Sequence, residues 1–313
     1  TSGTLNANLN IKGKGSIPDV SGNLKIDNVL IYKIPLDSIS TPIAFKNREL
    51  TLSNLKLVKG NSIFTGNGSF FIDNKKFNYL LNGKNINLKD FNLKLIDTSM
   101  DISSEGIGTL ENPLIKFYAT TNDTNNKNYN IGHSTISAKI ENKILDFYAD
   151  ILDKNVTING KANLDERFSW SAEATLKKGR YNPLITNLLK EAPEDLQLNL
   201  EGKILMNGDK NNIKSFANLE HLTLNIYGQT FNNVNNIQLF LQNRNLTIKP
   251  FNLKSGITSF KLEGEIEIGK QYDILINGSS SLSPLKGLSN KIGYLKGDTE
   301  FVISITGKWD KPK

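Results

Sequence analysis

Cysteine is absent from all 313 residues, so disulfides, thiolate zinc sites and thiol catalysis are excluded and the redox compartment is left open. Imidazole is almost as scarce. The two histidines, His133 in NIGHSTI and His221 in LEHLTL, each stand as one position of a strand pattern, not in a ligand or acid-base constellation. No Gly-x-Ser-x-Gly elbow and no phosphate-cradling glycine loop occurs. No stretch approaches the ~20 apolar residues that span a bilayer. The net charge is +7 and the pI about 9.2, but the lysines are dispersed. The only doublets are Lys75-Lys76 and Lys177-Lys178, with no basic-aromatic box, so nucleic acid is not an expected partner. The expectation is a non-enzymatic protein with no catalytic residue, no metal site and no cofactor.

What is present is alternation. Leu5, Ala7, Leu9 and Ile11 are spaced in twos, as are Leu24 and Ile26, Leu50 and Leu52, Leu55 and Leu57, and the run Val156, Ile158, Gly160, Ala162, Leu164. Each run is four to eight residues with Asn, Lys, Thr or Ser between the apolar positions and Gly, Asn-Gly or Asp at its ends, the pattern of half-buried antiparallel strands. About twenty such runs follow one another, too many for an ordinary sandwich and too uninterrupted for βαβ units. Helical signals are confined to two places. YNPLITNLLKEAP offers Asn182 as N-cap, Pro183 in the first turn and a Leu184, Ile185, Leu188, Leu189 face, which predicts a helix at 183–191. SPLKGLSNKIGYL at 283–295 opens the same way.

The pattern repeats. NRELTLSNLKLVKGNSIFTGNGSF at 47–70 returns as NRNLTIKPFNLKSGITSFKLEGEI at 243–266, in register throughout. Asn47, Arg48, Leu50, Thr51, Leu57, Gly60, Phe64 and Gly68 find identical residues at Asn243, Arg244, Leu246, Thr247, Leu253, Gly256, Phe260 and Gly264. At a spacing of 195, Leu9, Gly13, Leu24, Ile31 and Leu36 meet Ile204, Gly208, Leu219, Ile226 and Phe231, and Asn82-Gly83 meets Asn277-Gly278. A weaker copy lies between: GIGTLENP at 106–113 echoes GKGSIP at 13–18, and NVTINGKANL at 155–164 echoes IFTGNGSFFI. Gly-x4-Pro recurs at Gly13 to Pro18, Gly108 to Pro113 and Gly307 to Pro312, with Gly208 keeping the glycine but Ile213 in the proline's place; this is strand-turn punctuation. The expected units are 1–102, 103–200, 201–298 and the start of a further one at 299–313, forming one continuous domain. The chain begins and ends in mid-pattern, which reads as a segment of a longer protein.

Order and spacing of the Gly-x4-Pro strand unit, the Leu50 to Phe70 run, Arg180-Tyr181-Asn182-Pro183-Leu184 and LSPL at 282–285 resemble the AsmA-like and TamB-like proteins of the diderm bacterial envelope, relatives of the bridge-like lipid-transfer proteins. The resemblance covers essentially the whole chain. It implies an all-β fold: an elongated, curled antiparallel sheet, groove-like, with an apolar concave face and one or two short helices. It further implies a periplasmic segment of a protein tethered to the inner membrane by an anchor outside this stretch. Phospholipids are the implied partners, carried toward the outer membrane, and an outer-membrane barrel partner is implied for regions absent here.

A sheet with one apolar face must cover it with a second sheet, by curling, or with an apolar ligand. Twenty strands at about 4.8 Å each give a trough on the order of 100 Å long, in which each sheltered methylene is worth about 0.8 kcal/mol. The candidate lining residues are Leu50, Leu52, Phe64, Phe70, Tyr79, Leu81, Val156, Ile158, Leu246, Ile248, Phe260, Ile266 and Ile276. The same residues could equally pack on each other in a closed core, since alternation says which side chains share a face and not what covers it. Glu263, Glu265 and Glu267 read as a solvated outer face with a bulge expected at Gly264, and Asp150 and Asp153 as turn residues. The helix leucines Leu184, Leu188 and Leu285 are expected to plug an end or edge of the trough, with a lipid gate as the alternative. A competing function is a scaffold that assembles outer-membrane β-barrels by pairing its sheet edges with client strands.

Overall fold

Period-two alternation, β-branched residues and Asn or Gly at the run ends give strands joined by short turns, and nearly the whole described chain is strand. The computed structural model describes residues 3–13, 18–31, 34–91, 98–126, 129–182, 195–226, 228–281, 297–309 and 311–312. The predicted helices at 183–191 and 283–295 lie outside them.

The strands fall into six-strand repeats. The first comprises β1 (Thr4–Lys12), β2 (Asp19–Ile31), β3 (Ile34–Lys46), β4 (Glu49–Lys59), β5 (Ser62–Phe71) and β6 (Lys76–Asn87). The second comprises β7 (Ser99–Thr109), β8 (Pro113–Asn126), β9 (Tyr129–Glu141), β10 (Ile144–Ile151), β11 (Val156–Asn163) and β12 (Trp170–Arg180). The third has β13 (Gln197–Gly208), β14 (Ile213–Ile226), a third strand broken into β15 (Gln229–Asn233) and β16 (Ile237–Gln242), then β17 (Asn245–Ser255), β18 (Thr258–Glu267) and β19 (Gln271–Ser281). β20 (Asp298–Lys308) and β21 (Lys311–Pro312) open a fourth. Repeats thus begin at Ser99 and Gln197, a few residues before the boundaries read from the sequence, and at Asp298, next to the third.

By contact density the chain forms two compact units, Thr1–Lys154 with Lys161–Asp165, and Asn155–Gly160 with Glu166–Lys313. In the first, β1 to β10 pair antiparallel, each with the next. In the second, β12 pairs with β13, β13 with β14, β14 with both halves of the broken strand, and both halves with β17; β17 to β21 continue one by one.

The twin stretches superpose in detail. β4 carries a bulge between Leu52 and Leu55, and β17 carries one at the equivalent place, between Ile248 and Phe251. Leu52 faces Gly68 as Ile248 faces Gly264, and Leu57 faces Phe64 as Leu253 faces Phe260. The spacing changes from 196 to 195 where the four-residue turn 72–75 is replaced by the three-residue turn 268–270. The hairpin between third and fourth strands is turned in every repeat by an asparagine at positive φ, Asn47 (51°), Asn142 (52°) and Asn243 (57°); asparagine tolerates that region at little cost. Arg48 and Lys143 follow it there, giving two-residue type I′ turns. The Gly-x4-Pro glycines also share a conformation, with φ of 120° at Gly13, 118° at Gly108 and 101° at Gly307.

Candidate functional site

Residues directly opposite in an antiparallel pair share a face, so the registers define the faces of each sheet. In the first unit one row runs Leu50, Phe70, Phe77; the next Leu52, Gly68, Tyr79, Gly106, Ile115; the next Leu55, Gly66, Leu81; and the last Leu57, Phe64, Gly83, Ile102, Ala119. These are apolar or glycine apart from the Tyr79 hydroxyl, which at 3.0 Å meets that of Ser104, the polar residue that continues the Leu81 row on β7 before Phe117 on β8. The opposite face of the same strands reads Thr51, Ser69, Asn78 and Lys56, Thr65, Asn82, and bears surface ion pairs such as Glu105 with Lys116.

The second unit repeats the arrangement. Leu246, Ile266 and Tyr272 form one row, Ile248, Gly264 and Ile274 the next, then Phe251, Leu262, Ile276, then Leu253, Phe260, Gly278. Thr247, Glu265, Asp273 and Asn245, Glu267, Gln271 lie on the other face, where the three glutamates belong to a polar surface as expected. The bulge expected at Gly264 is instead on the neighbouring strand at Lys249-Pro250. Gly264 pairs without a shift on β19, because proline cannot donate to the ladder and the extra residue collects around it.

The structure therefore brings Leu50, Leu52, Phe64, Phe70, Tyr79 and Leu81 onto one face of the first unit, and Leu246, Ile248, Phe260, Ile266 and Ile276 onto one face of the second. All eleven are half-buried. Val156, 5% exposed, and Ile158, half-buried, sit two apart on β11. Only 15 apolar side chains are buried among the described residues, so most of the face is left partly open to solvent. In the second unit, part of it closes on itself: Ile237, Phe251 and Leu253 form a buried cluster with Phe231, Ile248, Phe260 and Leu262 packed around it, and the Phe231 and Phe260 rings lie 5.3 Å apart. Phe260 and Ile248 are thus core neighbours, whereas Leu246, Ile266 and Ile276 lie outside that cluster.

The residues directly after β6 and directly after β12 fold back onto the fourth-to-fifth-strand turns. After β6, the 3-10 turn Leu88–Phe91 sets the Phe91 ring edge-on to Phe64 at 6.0 Å, covering that end of the apolar face. Asp90 holds it there: its Oδ2 accepts the Asn61 and Ser62 amides at 3.1 Å each and the Ser62 hydroxyl at 2.7 Å. The Ser62 hydroxyl oxygen in turn accepts the Asn87 amide at 2.9 Å. After β12, the fully buried Tyr181 shares its one hydroxyl proton between the carbonyls of Lys177 at 2.6 Å and Asn155 at 2.9 Å, and burial, with the Glu201 carboxylate adding to it, pushes the phenol pKa up. Asn182 is buried next to it, donating to the Leu196 carbonyl and accepting the Leu198 amide. No alternation signal could announce these contacts, since apart from Lys177 the partners are distant in sequence.

His133 and His221 occupy exposed positions on β9 and β14. Asp153 lies in the turn after β10 and accepts the His133 amide. Among the described residues no group of His, Asp and Glu could hold a metal ion, and no helix is long and apolar enough to cross a membrane. The fold thus defines an antiparallel β-repeat protein whose distinctive surface is an apolar sheet face. Compared with known proteins, the chain matches no family model, no curated protein and no solved structure.

Proposed function

We propose that this chain is a non-enzymatic, lipid-binding segment that holds phospholipid acyl chains against its apolar sheet face and passes them between the inner and outer membranes of a diderm bacterium. The observation that supports it is a face of apolar and glycine rows crossing successive strands, with side chains left half-buried. That surface costs free energy in water and gains about 0.8 kcal/mol for each lipid methylene laid against it. A curled groove, a periplasmic location and an inner-membrane tether outside this segment belong to the same reading and rest on the AsmA-like and TamB-like resemblance.

Mass spectrometry of the purified chain under native conditions tests it: bound phospholipid is expected, with photocrosslinks to lipid from Phe64 and Ile266. Ile266→Asp should abolish lipid binding while the circular dichroism stays unchanged, because a carboxylate on an apolar face open to solvent stays hydrated. If the chain carries no lipid and Ile266→Asp unfolds it, the face is a closed core and the reading is wrong. The scaffold reading has one observation in its favour, β1, whose nine residues are all exposed; it predicts crosslinks from that strand to client β-strands.

A further inference from the structure

Both tryptophans of the chain lie at one rim of the second unit. Trp170 opens β12 opposite Gly208, where a side chain on the glycine would meet the indole at 3.1 Å. Trp309 follows β20 and stacks on Tyr272 with ring centroids 4.9 Å apart and planes 10° from parallel. Antiparallel pairing puts the turns 209–212, 243–244 and 268–270 at this same rim, since Gly208 pairs with Ile213, Gln242 with Asn245, Glu267 with Gln271 and Gln271 with Lys308. A relay of backbone bonds ties the turns together: the Asn243 amide to the Ile213 carbonyl, Ile268 to Arg244, and Trp309 to Lys270, at 2.7 to 2.8 Å.

Three large apolar side chains at this rim are left in water, Ile213 at 46%, Ile268 at 39% and Trp309 at 42% exposure. Between them stand Lys210, Lys214, Arg244, Lys270 and Lys308, against three acids, Asp209, Glu265 and Glu267, the last two sharing a concave surface with Lys214 and Arg244. Asp209 and Glu267 are already engaged. Asp209 accepts the Asn211 and Asn212 amides, which hold its carboxyl below the usual range, and Glu267 pairs with Lys270 at 2.5 Å. Indole and phenol rings flanked by exposed aliphatics and an excess of basic groups form the combination that partitions into a headgroup layer, rings at the interface and cations on phosphate.

We infer that this rim of the second unit docks on the surface of an anionic phospholipid bilayer, Ile213, Ile268 and Trp309 entering the headgroup layer while Lys210, Lys214 and Arg244 meet lipid phosphates. The inference stands on the rim alone and holds whether or not the apolar face carries lipid.

The experiment is flotation of the intact chain with phosphatidylglycerol vesicles whose acyl chains are brominated, read together with the emission of the two tryptophans, both of which stand at this rim. Flotation and quenching are expected on these vesicles and not on phosphatidylcholine, and both should fade at about 0.5 M salt as screening shortens the reach of the charges. Lys210→Glu with Arg244→Glu, both on exposed turns, should weaken binding at least about twenty-fold with the fold intact by circular dichroism. Trp309→Ser with Ile268→Ser should weaken it as well while leaving the salt dependence. Absence of flotation at low salt, or flotation unchanged in either double variant, overturns the inference. Quenching without flotation also overturns it and points to lipid drawn onto the apolar face instead.

Discussion

Ser62 shows how much of this fold hangs on single polar groups at the covered end of the sheet. It is 0% exposed, its hydroxyl gives its proton to Asp90 and takes one from the Asn87 amide, and the first residue of the fifth strand is buried in the other repeats too, as Val156 at 5% and Thr258 at 7%. Ser62→Ala leaves the Asn87 amide and a carboxylate oxygen short of a partner in a water-poor site. A loss of about 1–3 kcal/mol in urea unfolding is expected, larger than for Thr65→Ala on the exposed face. Tyr181→Phe, removing the one hydroxyl proton shared between two carbonyls, should cost about 1–2 kcal/mol. It also carries a pH signature. The folded-state pKa of Tyr181 is raised by burial first and by Glu201 second, so its contribution is full below the ordinary tyrosine value near 10 and is lost as the pH rises through the raised one. Stability of the native chain should therefore fall more steeply than that of Tyr181→Phe in denaturation series run from neutral to strongly alkaline pH.

At the level of strands, glycines on the apolar face set how closely neighbours approach. A side chain at Gly106 would meet the Tyr79 ring at 2.2 Å, and one at Gly66 the Leu80 carbonyl at 2.2 Å. Gly106→Val should displace Tyr79 from Ser104 and destabilise the first unit by about 1–3 kcal/mol, whereas the same change at Gly256, a turn glycine with open space around it but a φ of 57°, should act through backbone strain alone. Urea midpoints of the two variants, with the near-ultraviolet signal of Tyr79 followed in the first, distinguish these causes. Strands and their faces were legible in the sequence because the period of two is local: Leu50, Leu52, Phe64 and Phe70 share a face, as alternation requires. Bulges were not. Leu50-Leu52 and Leu55-Leu57 read as two runs, yet they are one strand in which Ser53 and Asn54, the latter at a φ of 49°, return Leu55 to the same side. The broken β15–β16 strand hides for a similar reason. Its missing ladder is replaced by asparagine side chains, Asn233 accepting the Leu222 amide and Asn235 the Asn252 amide, and asparagine is as frequent in turns as in such patches. Packing of Phe91 on Phe64 depends on Asp90 reaching a turn 28 residues away, for which no periodicity exists.

For the molecule as a whole, the third repeat fixes what kind of change the architecture tolerates. Each repeat has an even number of strand positions, because the broken β15–β16 pair occupies the place of the single β3, and each of the three is followed by a long segment, 88–98, 181–196 or 282–297. An even count returns the chain to its starting end in its starting direction, so the strand after each long segment meets the same neighbour geometry wherever it falls. Stability in such an array is close to a sum of repeat and nearest-neighbour terms. Excising 99–196, one whole repeat, should thus leave a soluble chain in which β13 pairs on β6 as β7 does. Excising 99–180 with β13 as well, through residue 208, removes an odd number of strands and delivers β14 in the reverse direction, parallel to β6 and with its apolar residues out of register. Circular dichroism and limited proteolysis of the two deletions should show a folded, protease-resistant chain for the first and an aggregating or cleaved one for the second. Equal resistance of both would mean that stability does not depend on strand direction at the repeat junction, and the array description would fail.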